Sequence, residues 1–516
     1  MNEIIINVNS EKTTINQNIY GSFIEHIGEC IHNGIWTYDP VSVPLVSDQY
    51  PRIKKVRMDV LDALKNMNLP LLRAFGGCYA DLYHWKDAIG PLNERKTVKN
   101  LHWGEKEFEE MEGVGPVIEN QFGTDEFLAL CEIINAEPYL NVNYGSGTPG
   151  EAADWVEYCN GTTNTPFGTL RAKNGREKPY NVKIWGIANE IYGFWEVGYE
   201  KDPENYAEKY LKFAKKMREK DPTLKLIACG YQNSSWNRSV LEHIGQDWVD
   251  YLSFHLYLPY IAGGREKPTH PDNEKCYHAL MASSRLVEGQ LNNAWKDITT
   301  VFGNQTHVRL AFDEWGLWYL NRDIIKTNFN LQDGIYTALI LKLLQRTSGI
   351  CPIANWAQLI NCIGMIQTDP DGLILTPVYL AFKMISEHSF NNLIDAVLVQ
   401  SPTFDSSKFG AIPKYKDVPY LESSSTIDDK GENLSILLLN KHISDSLTVN
   451  VEIKEFLPEN KAKIFELTGD SPFEYNTTEY RDKITISERV IDNIEPNITI
   501  NLEPHSLAIL KLTKTE

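Results

Sequence analysis

Glu190 closes the run Trp185-Gly186-Ile187-Ala188-Asn189, and Glu314 follows Leu310-Ala311-Phe312-Asp313. Each carboxylate therefore stands just past an apolar segment, where a strand would end. Two carboxylates that face each other can break a glycosidic bond. One attacks the anomeric carbon, and the other protonates the departing oxygen and then deprotonates the incoming water. The retaining form of that reaction needs the pair about 5–5.5 Å apart. The acid must hold a proton near neutral pH. Partial burial and an ionised neighbour both push proton affinity upward, so Glu190 is expected to be raised. Asn189, beside Glu190, is placed to hydrogen-bond a sugar 2-hydroxyl, a contact that strengthens as charge develops on the ring. A lone Glu after a strand is commonly a surface charge or a helix N-terminal residue. The pairing of Asn-Glu with Asp-Glu-Trp at two strand ends sets these two apart. Other polar residues end apolar runs as well: Arg73, His255 with Tyr257 beyond it, and Gln358.

Positioning these groups requires a scaffold of strands with a common mouth. Apolar runs at 19–23, 69–74, 137–143, 182–188, 224–229, 249–254, 308–313 and 352–357 read as eight strands. Helical patterns lie between them. Ala207, Tyr210, Leu211, Ala214 and Met217 share one helical face, and Asp221-Pro222 stops that helix. Val56, Val60, Leu64 and Met67 form a second face. Phe127, Leu130, Cys131 and Ile134 form a third, with Thr124 as its expected cap. Strands alternating with helices predict an α/β fold, a (β/α)8 TIM barrel over 19–385, whose sites lie at the C-terminal strand ends. Strands four and seven lie roughly across such a barrel, so Glu190 and Glu314 are expected to converge. Beyond 386 the pattern changes to β segments at 434–439, 447–453, 462–467, 483–487 and 498–512, which predict a C-terminal β-sandwich over 386–516. Residues 1–18 carry one strand that is expected to join the sandwich.

Composition narrows the partners. With 516 residues the chain is too long for one compact core, and two domains are expected. A net charge of −19 repels phosphates and anionic lipid, so neither nucleic acid nor a membrane is an expected partner. No apolar stretch of about 18 residues appears, and the first ten residues lack a secretory pattern. The eight cysteines are scattered without C-x-x-C pairs. Free thiols fit a reducing cytoplasm, the expected location. The 12 His show no zinc-binding spacing.

Several segments resemble glycoside hydrolase family 51, the retaining α-L-arabinofuranosidases. They are 19–26, the glycine-rich 73–91 (RAFGGCYADLYHWKDAIGP), 185–198 (WGIANEIYGFWEVG), 253–257 (SFHLY), 312–319 (FDEWGLWY), 357–361 and 375–377. The resemblance covers nearly the whole chain. It implies Glu190 as general acid/base and Glu314 as nucleophile. It implies that Glu25, Asn189, Tyr257 and Gln358 hold the furanose ring. Trp318 and Trp103 line the leaving-group side, although loop packing is an equal reading for Trp103. Arg73 is either a clamp on a site carboxylate or an internal barrel ion pair, and Glu25 is either a sugar contact or a buried structural charge. The sequence departs from the family pattern at Cys78, where Asn is usual, at Ser22, where His is usual, and at Phe75, often Pro. All three are expected near the sugar ring. A thiol is a weak donor and poor acceptor, so contacts at Cys78 should be weaker.

The expected reaction is release of terminal non-reducing α-L-arabinofuranosyl groups from arabinan or arabinoxylan oligosaccharides, with no metal or organic cofactor. A related xylosidase or glucanase specificity stays open. The resemblance further implies a homo-oligomer, a hexamer. Gly145-Ser146-Gly147-Thr148-Pro149-Gly150 fits G-x-G-x-x-G and offers an NAD-dependent oxidoreductase as a remote alternative. The polar loop at 161–178 and the N–H-less Pro149 favour a tight barrel loop there.

Overall fold

The computed structural model describes residues 2–39, 41–46, 50–103, 117–259, 273–319 and 327–515. Eight parallel strands close into a barrel: β2 (Gly21–Phe23), β3 (Leu71–Ala74), β4 (Glu137–Val142), β5 (Ile184–Ile187), β6 (Lys225–Ala228), β7 (Tyr251–Pro259), β8 (Arg309–Trp318) and β9 (Ile353–Trp356). They pair in chain order, and β9 returns to β2 through Asn355↔Gly21 and Trp356↔Ser22. The strands are buried along nearly their whole length because the barrel fills one face and helices cover the other. Helix Pro203–Lys220 does this with Tyr206, Ala207, Tyr210, Phe213, Ala214 and Met217 inward, and it stops at Asp221.

Most strands are shorter than their apolar runs, but β7 and β8 are longer. They run on to Pro259 and Trp318, so Tyr257, Glu314 and Trp318 all lie within strands. Residues 17–20 form a 3-10 turn rather than strand, with Asn16 capping it. Thr124 is not a cap but the first residue of helix Thr124–Ile134. The glycine before it donates its N–H to Glu126 at 2.9 Å, while the Thr124 hydroxyl accepts from Trp155 Nε1 at 3.1 Å. The Gly145–Gly150 segment is a barrel loop. Thr148 caps helix Pro149–Asn160 by accepting from Glu151 N at 3.1 Å.

The C-terminal region is rich in β-sheet: β10 (Asn392–Gln400), β11 (Leu421–Ile427), β12 (Asn433–Asn440), β13 (Leu447–Lys454), β14 (Lys461–Leu467), β15 (Ile486–Asp492), β16 (Asn497–Leu502) and β17 (Ser506–Thr513). The run at 498–512 is thus two strands, broken where His505 takes a left-handed backbone conformation (φ 39°). The N-terminal strand β1 (Asn2–Asn7) enters this sheet, antiparallel to β10 and parallel to β13. One core joins Ile4 and Ile6 of β1 to residues of both halves of the sheet, including Val451, Ile436, Ile464 and Leu510.

Candidate active site

The mouth of the barrel is organised by an extra residue in β8. Ser253 of β7 faces Ala311, yet His255 faces Glu314, so β8 spends three positions where β7 spends two. Against β9 the same shift separates Phe312↔Ala354 from Trp315↔Trp356. Neighbours in a regular strand point to opposite faces. The bulge relaxes that rule, and both Asp313 and Glu314 reach the site. Asp313 accepts hydrogen bonds from Tyr139 OH at 2.7 Å and Ser253 Oγ at 2.6 Å. Glu314 accepts from Arg73 Nη1 at 3.0 Å and Tyr257 OH at 2.9 Å.

Glu190 arrives by a different device. It follows β5 in a left-handed conformation (φ 43°), and Gly193 N closes the turn onto its carbonyl at 2.7 Å. The turn sets the Glu190 side chain over the mouth. Trp195 Nε1 donates to its Oε2 at 3.2 Å, and His255 Nδ1 lies 2.8 Å from its Oε1. A carboxylate oxygen of Glu190, one of Glu314 and a ring nitrogen of His255 all lie within 4.8 Å of one another. The Glu190 side chain is 16 % exposed against 6 % for Glu314, so Glu190 is the one more open to solvent.

The charges form one coupled cluster. His255 lies 3.5 Å from Glu314, 3.3 Å from Asp313 and 2.8 Å from Glu190. Burial alone would lower its proton affinity, but the Glu314 charge, the hydrogen bonds to Asp313 and Glu190 and the Asp313 charge push it up to about 10. Burial would raise Asp313, yet Arg73 and His255 hold it at about 2. Glu190 differs from the sequence expectation. Burial does raise it, but the hydrogen bond and charge of His255, with Trp195 and Tyr192, outweigh that and leave it lowered. Burial raises Glu314, with Glu190 and Asp313 adding to the shift, against the pull of His255 and Arg73. His255 is thus held protonated through neutral pH.

Arg73 fills both roles considered for it. It binds Glu314, reaches the Asp313 carbonyl at 3.0 Å and carboxylate at 3.9 Å, and donates to Asn189 Oδ1 at 2.8 Å. Glu25 is buried and accepts three hydrogen bonds: from Tyr79 N at 2.8 Å, Trp103 Nε1 at 2.8 Å and Gln358 Nε2 at 2.9 Å. Burial lifts it to about 7 against the pull of the Tyr79 and Trp103 bonds. Trp103 is thus tied to the site through Glu25. Trp318 packs edge-on against Tyr257 at 5.4 Å. Cys78 is partly exposed, its Sγ 4.0 Å from Asn189 Nδ2. Ser22 and Phe75 do not behave as expected. The Ser22 hydroxyl donates to the Trp356 carbonyl at 2.8 Å and is fully buried, while Phe75 stacks on Tyr83 at 4.3 Å within the core. Neither is open to a sugar.

Sequence reasoning did not single out Asp313, Tyr139, Ser253, Trp195 or Glu196. Buried polar residues inside apolar strands were the available signal for Tyr139 and Ser253. Glu196 is buried, and its Oε1 accepts from Asn189 Nδ2 at 3.3 Å.

A closed parallel barrel with paired carboxylates at its mouth has the equipment of a barrel glycoside hydrolase. Residues 63–262 match the family model "Alpha-L-arabinofuranosidase 1 domain", and residues 313–506 match "Alpha-L-arabinofuranosidase C-terminal domain". The chain is 32 % identical to alpha-L-arabinofuranosidase C of Emericella nidulans, over 96 % of this chain and 94 % of that one. It is 34 % identical to the intracellular exo-alpha-L-arabinofuranosidase of Bacteroides ovatus, over 75 % of this chain and 72 % of that one. The structure of the Thermotoga maritima alpha-L-arabinofuranosidase, solved as an arabinose complex, superposes with a TM-score of 0.87 at 34 % identity, covering 99 % of this chain and all of that one. The GH51 enzyme of Thermotoga petrophila RKU-1 gives the same score and identity. The chain belongs to the α-L-arabinofuranosidases of glycoside hydrolase family 51.

Proposed function

We propose that this enzyme releases terminal non-reducing α-L-arabinofuranosyl groups from arabinan or arabinoxylan oligosaccharides by a retaining double displacement. The observation that supports the mechanism is that one oxygen of Glu190 lies within 4.8 Å of one oxygen of Glu314. Such an approach suits the retaining spacing of about 5–5.5 Å better than the roughly 6.5–9.5 Å that leaves room for an inverting water.

Glu314 is the nucleophile. Arg73 and Tyr257 each donate to one of its oxygens, which stabilises the ionised form and aims it. Glu190 is the acid/base. His255 Nδ1, 2.8 Å from Glu190 Oε1, is the neighbouring proton donor to the acid. Protonation of Glu190 removes a charge that raises Glu314, and Arg73 and Tyr257 hold the nucleophile ionised. Attack by Glu314 then forms a glycosyl ester as Glu190 gives its proton to the leaving oxygen. A water, deprotonated by Glu190, hydrolyses the ester. Glu25, Asn189, Tyr257 and Gln358 hold the ring, Cys78 borders it, and Trp318 and Trp103 line the leaving-group side. The Bacteroides ovatus relative, an exo-alpha-L-arabinofuranosidase by name, supports exo action.

Glu314→Ala is expected to abolish turnover. Glu190→Ala is expected to slow poor leaving groups far more than activated aryl arabinofuranosides, since only the former need protonation. Equal loss on both substrates would remove Glu190 from the acid role. A chromogenic panel of arabinofuranoside, xyloside and glucoside decides the sugar, and faster release from the xyloside would shift the specificity assignment. A cytoplasmic location is supported by eight free cysteines, seven of them buried, and by the relative named as intracellular. No helix among the described residues is long and apolar enough to cross a membrane. A homo-oligomer, a hexamer by the family resemblance, is checked by light scattering.

A further inference from the structure

Beside the sugar-cleaving pair lies a second constellation. A sulfur of Cys78 and carboxylate oxygens of Glu190 and Glu196 all lie within 4.8 Å of one another. Glu196 is 5 % exposed, and apart from the neighbouring Cys78 thiol its Oε2 has no hydrogen-bond partner; burial and the charges of Asp81 and Glu190 push its proton affinity up. Among the described residues it forms no ion pair, whereas Arg73 and His255 are engaged by Glu314 and Asp313. An unpaired buried carboxyl oxygen is costly, and a cation would satisfy it. Of the eight cysteines, seven are buried and Cys78 is partly exposed. A soft cation entering from solvent therefore meets Cys78 before any other thiol.

We propose that Cys78, Glu190 and Glu196 form an inhibitory site for a thiophilic divalent cation, which silences the enzyme by capturing its acid/base. One thiolate and two carboxylates suit a zinc-like ion and leave a fourth position for water. Binding displaces to solvent the Cys78 thiol proton and the proton that burial favours on Glu196, and the sulfur electron pair forms the metal–sulfur bond. Bound Glu190 can neither accept nor deliver a proton. The inhibitory half of this proposal rests on the acid/base reading of Glu190, but the site itself does not.

The test uses Cd2+ with the full-length enzyme. Titration of the wild type should give an ultraviolet thiolate-to-cadmium band and inhibition that EDTA reverses, with both saturating together. Cys78→Ala should lose the band. Glu196→Gln, which removes a ligand charge, should weaken Cd2+ binding by about tenfold or more, read from the band and so independent of turnover. A band that survives in Cys78→Ala, or affinity unchanged in Glu196→Gln, overturns the site. A band lost in Cys78→Ala together with an uninhibited wild type overturns the capture of Glu190. Circular dichroism confirms that each variant is folded.

Discussion

At the scale of single residues, one imidazole contacts three carboxylates. His255 is held up to about 10 by Glu314, Asp313 and Glu190 against the effect of burial. It therefore keeps its proton through neutral pH and loses it as pH rises through that value. The alkaline limb of kcat/KM should follow this loss. In His255→Gln, Glu190 must hold the proton unaided, and the limb is expected to move to lower pH. An unmoved limb in a folded variant would remove His255 as the proton source. Glu190 and Glu314 were legible in the sequence because each closes an apolar run. The lowered proton affinity of Glu190 was not, because it depends on His255 Nδ1 standing 2.8 Å away, on a strand two positions further round the barrel. Ser22 and Phe75 misled for a related reason. Motif position marks proximity to the mouth, but only coordinates show that the Ser22 hydroxyl turns back to the Trp356 carbonyl.

At the scale of elements, two irregularities aim the chemistry: the bulge in β8 and the left-handed turn after β5. The alternation of apolar residues reveals a strand, but a one-residue bulge leaves no sequence signal, so the shared inward reach of Asp313 and Glu314 could not be read in advance. The strands from Asn392 to Ile427 were also missed. Exposed Asp395, Val397 and Val399 blur the pattern in β10, and polar Ser423, Ser424 and Ser425 are buried in β11. The glycine-rich loop after β3 makes a third demand. A Cβ on Gly77 would lie 2.9 Å from Glu25 Oε2 and 3.3 Å from its Cδ. Gly77→Ala should therefore displace Glu25 and its bonds to Trp103 and Gln358. The expected result is a kcat/KM lowered about tenfold or more, mainly through KM, as for loss of a charged hydrogen bond of about 1.5–3 kcal/mol. Unchanged kinetics would mean that Glu25 does not position the sugar.

At the scale of the whole molecule, we propose that residues 1–18 and 386–516 form one unit against the barrel at 19–385, since β1 pairs with both β10 and β13. The barrel was legible from eight periodic runs. The joint was not: Leu437, Leu439, Leu507 and Ile509 of the sheet share the apolar core of the barrel, and buried charges reinforce it. Lys441, fully buried, lies 3.0 Å from Glu422 of β11 and donates to the Met281 carbonyl of helix Glu274–Ala282 at 3.2 Å. Lys342 of helix Leu331–Thr347 reaches Glu422 from the barrel side. Glu422→Gln strands Lys441 and is expected to cost about 3–5 kcal/mol in urea unfolding. Burial alone would raise Glu422, but the two lysines hold it at about 2. The stability it contributes is present above its ordinary carboxylate range and is lost as pH falls through about 2. A melting profile of Glu422→Gln that matches the wild type across acid pH would exclude the joint from stability.

The most direct test of the double displacement is to trap its intermediate. An activated 2-deoxy-2-fluoro arabinofuranoside, which forms the ester faster than it hydrolyses, is incubated with the wild-type enzyme and the peptides are weighed by mass spectrometry. The expected result is one fluorosugar on the peptide that carries Glu314 and none in Glu314→Ala. A label on any other carboxylate, or turnover of natural substrate with inverted configuration, would contradict the central claim.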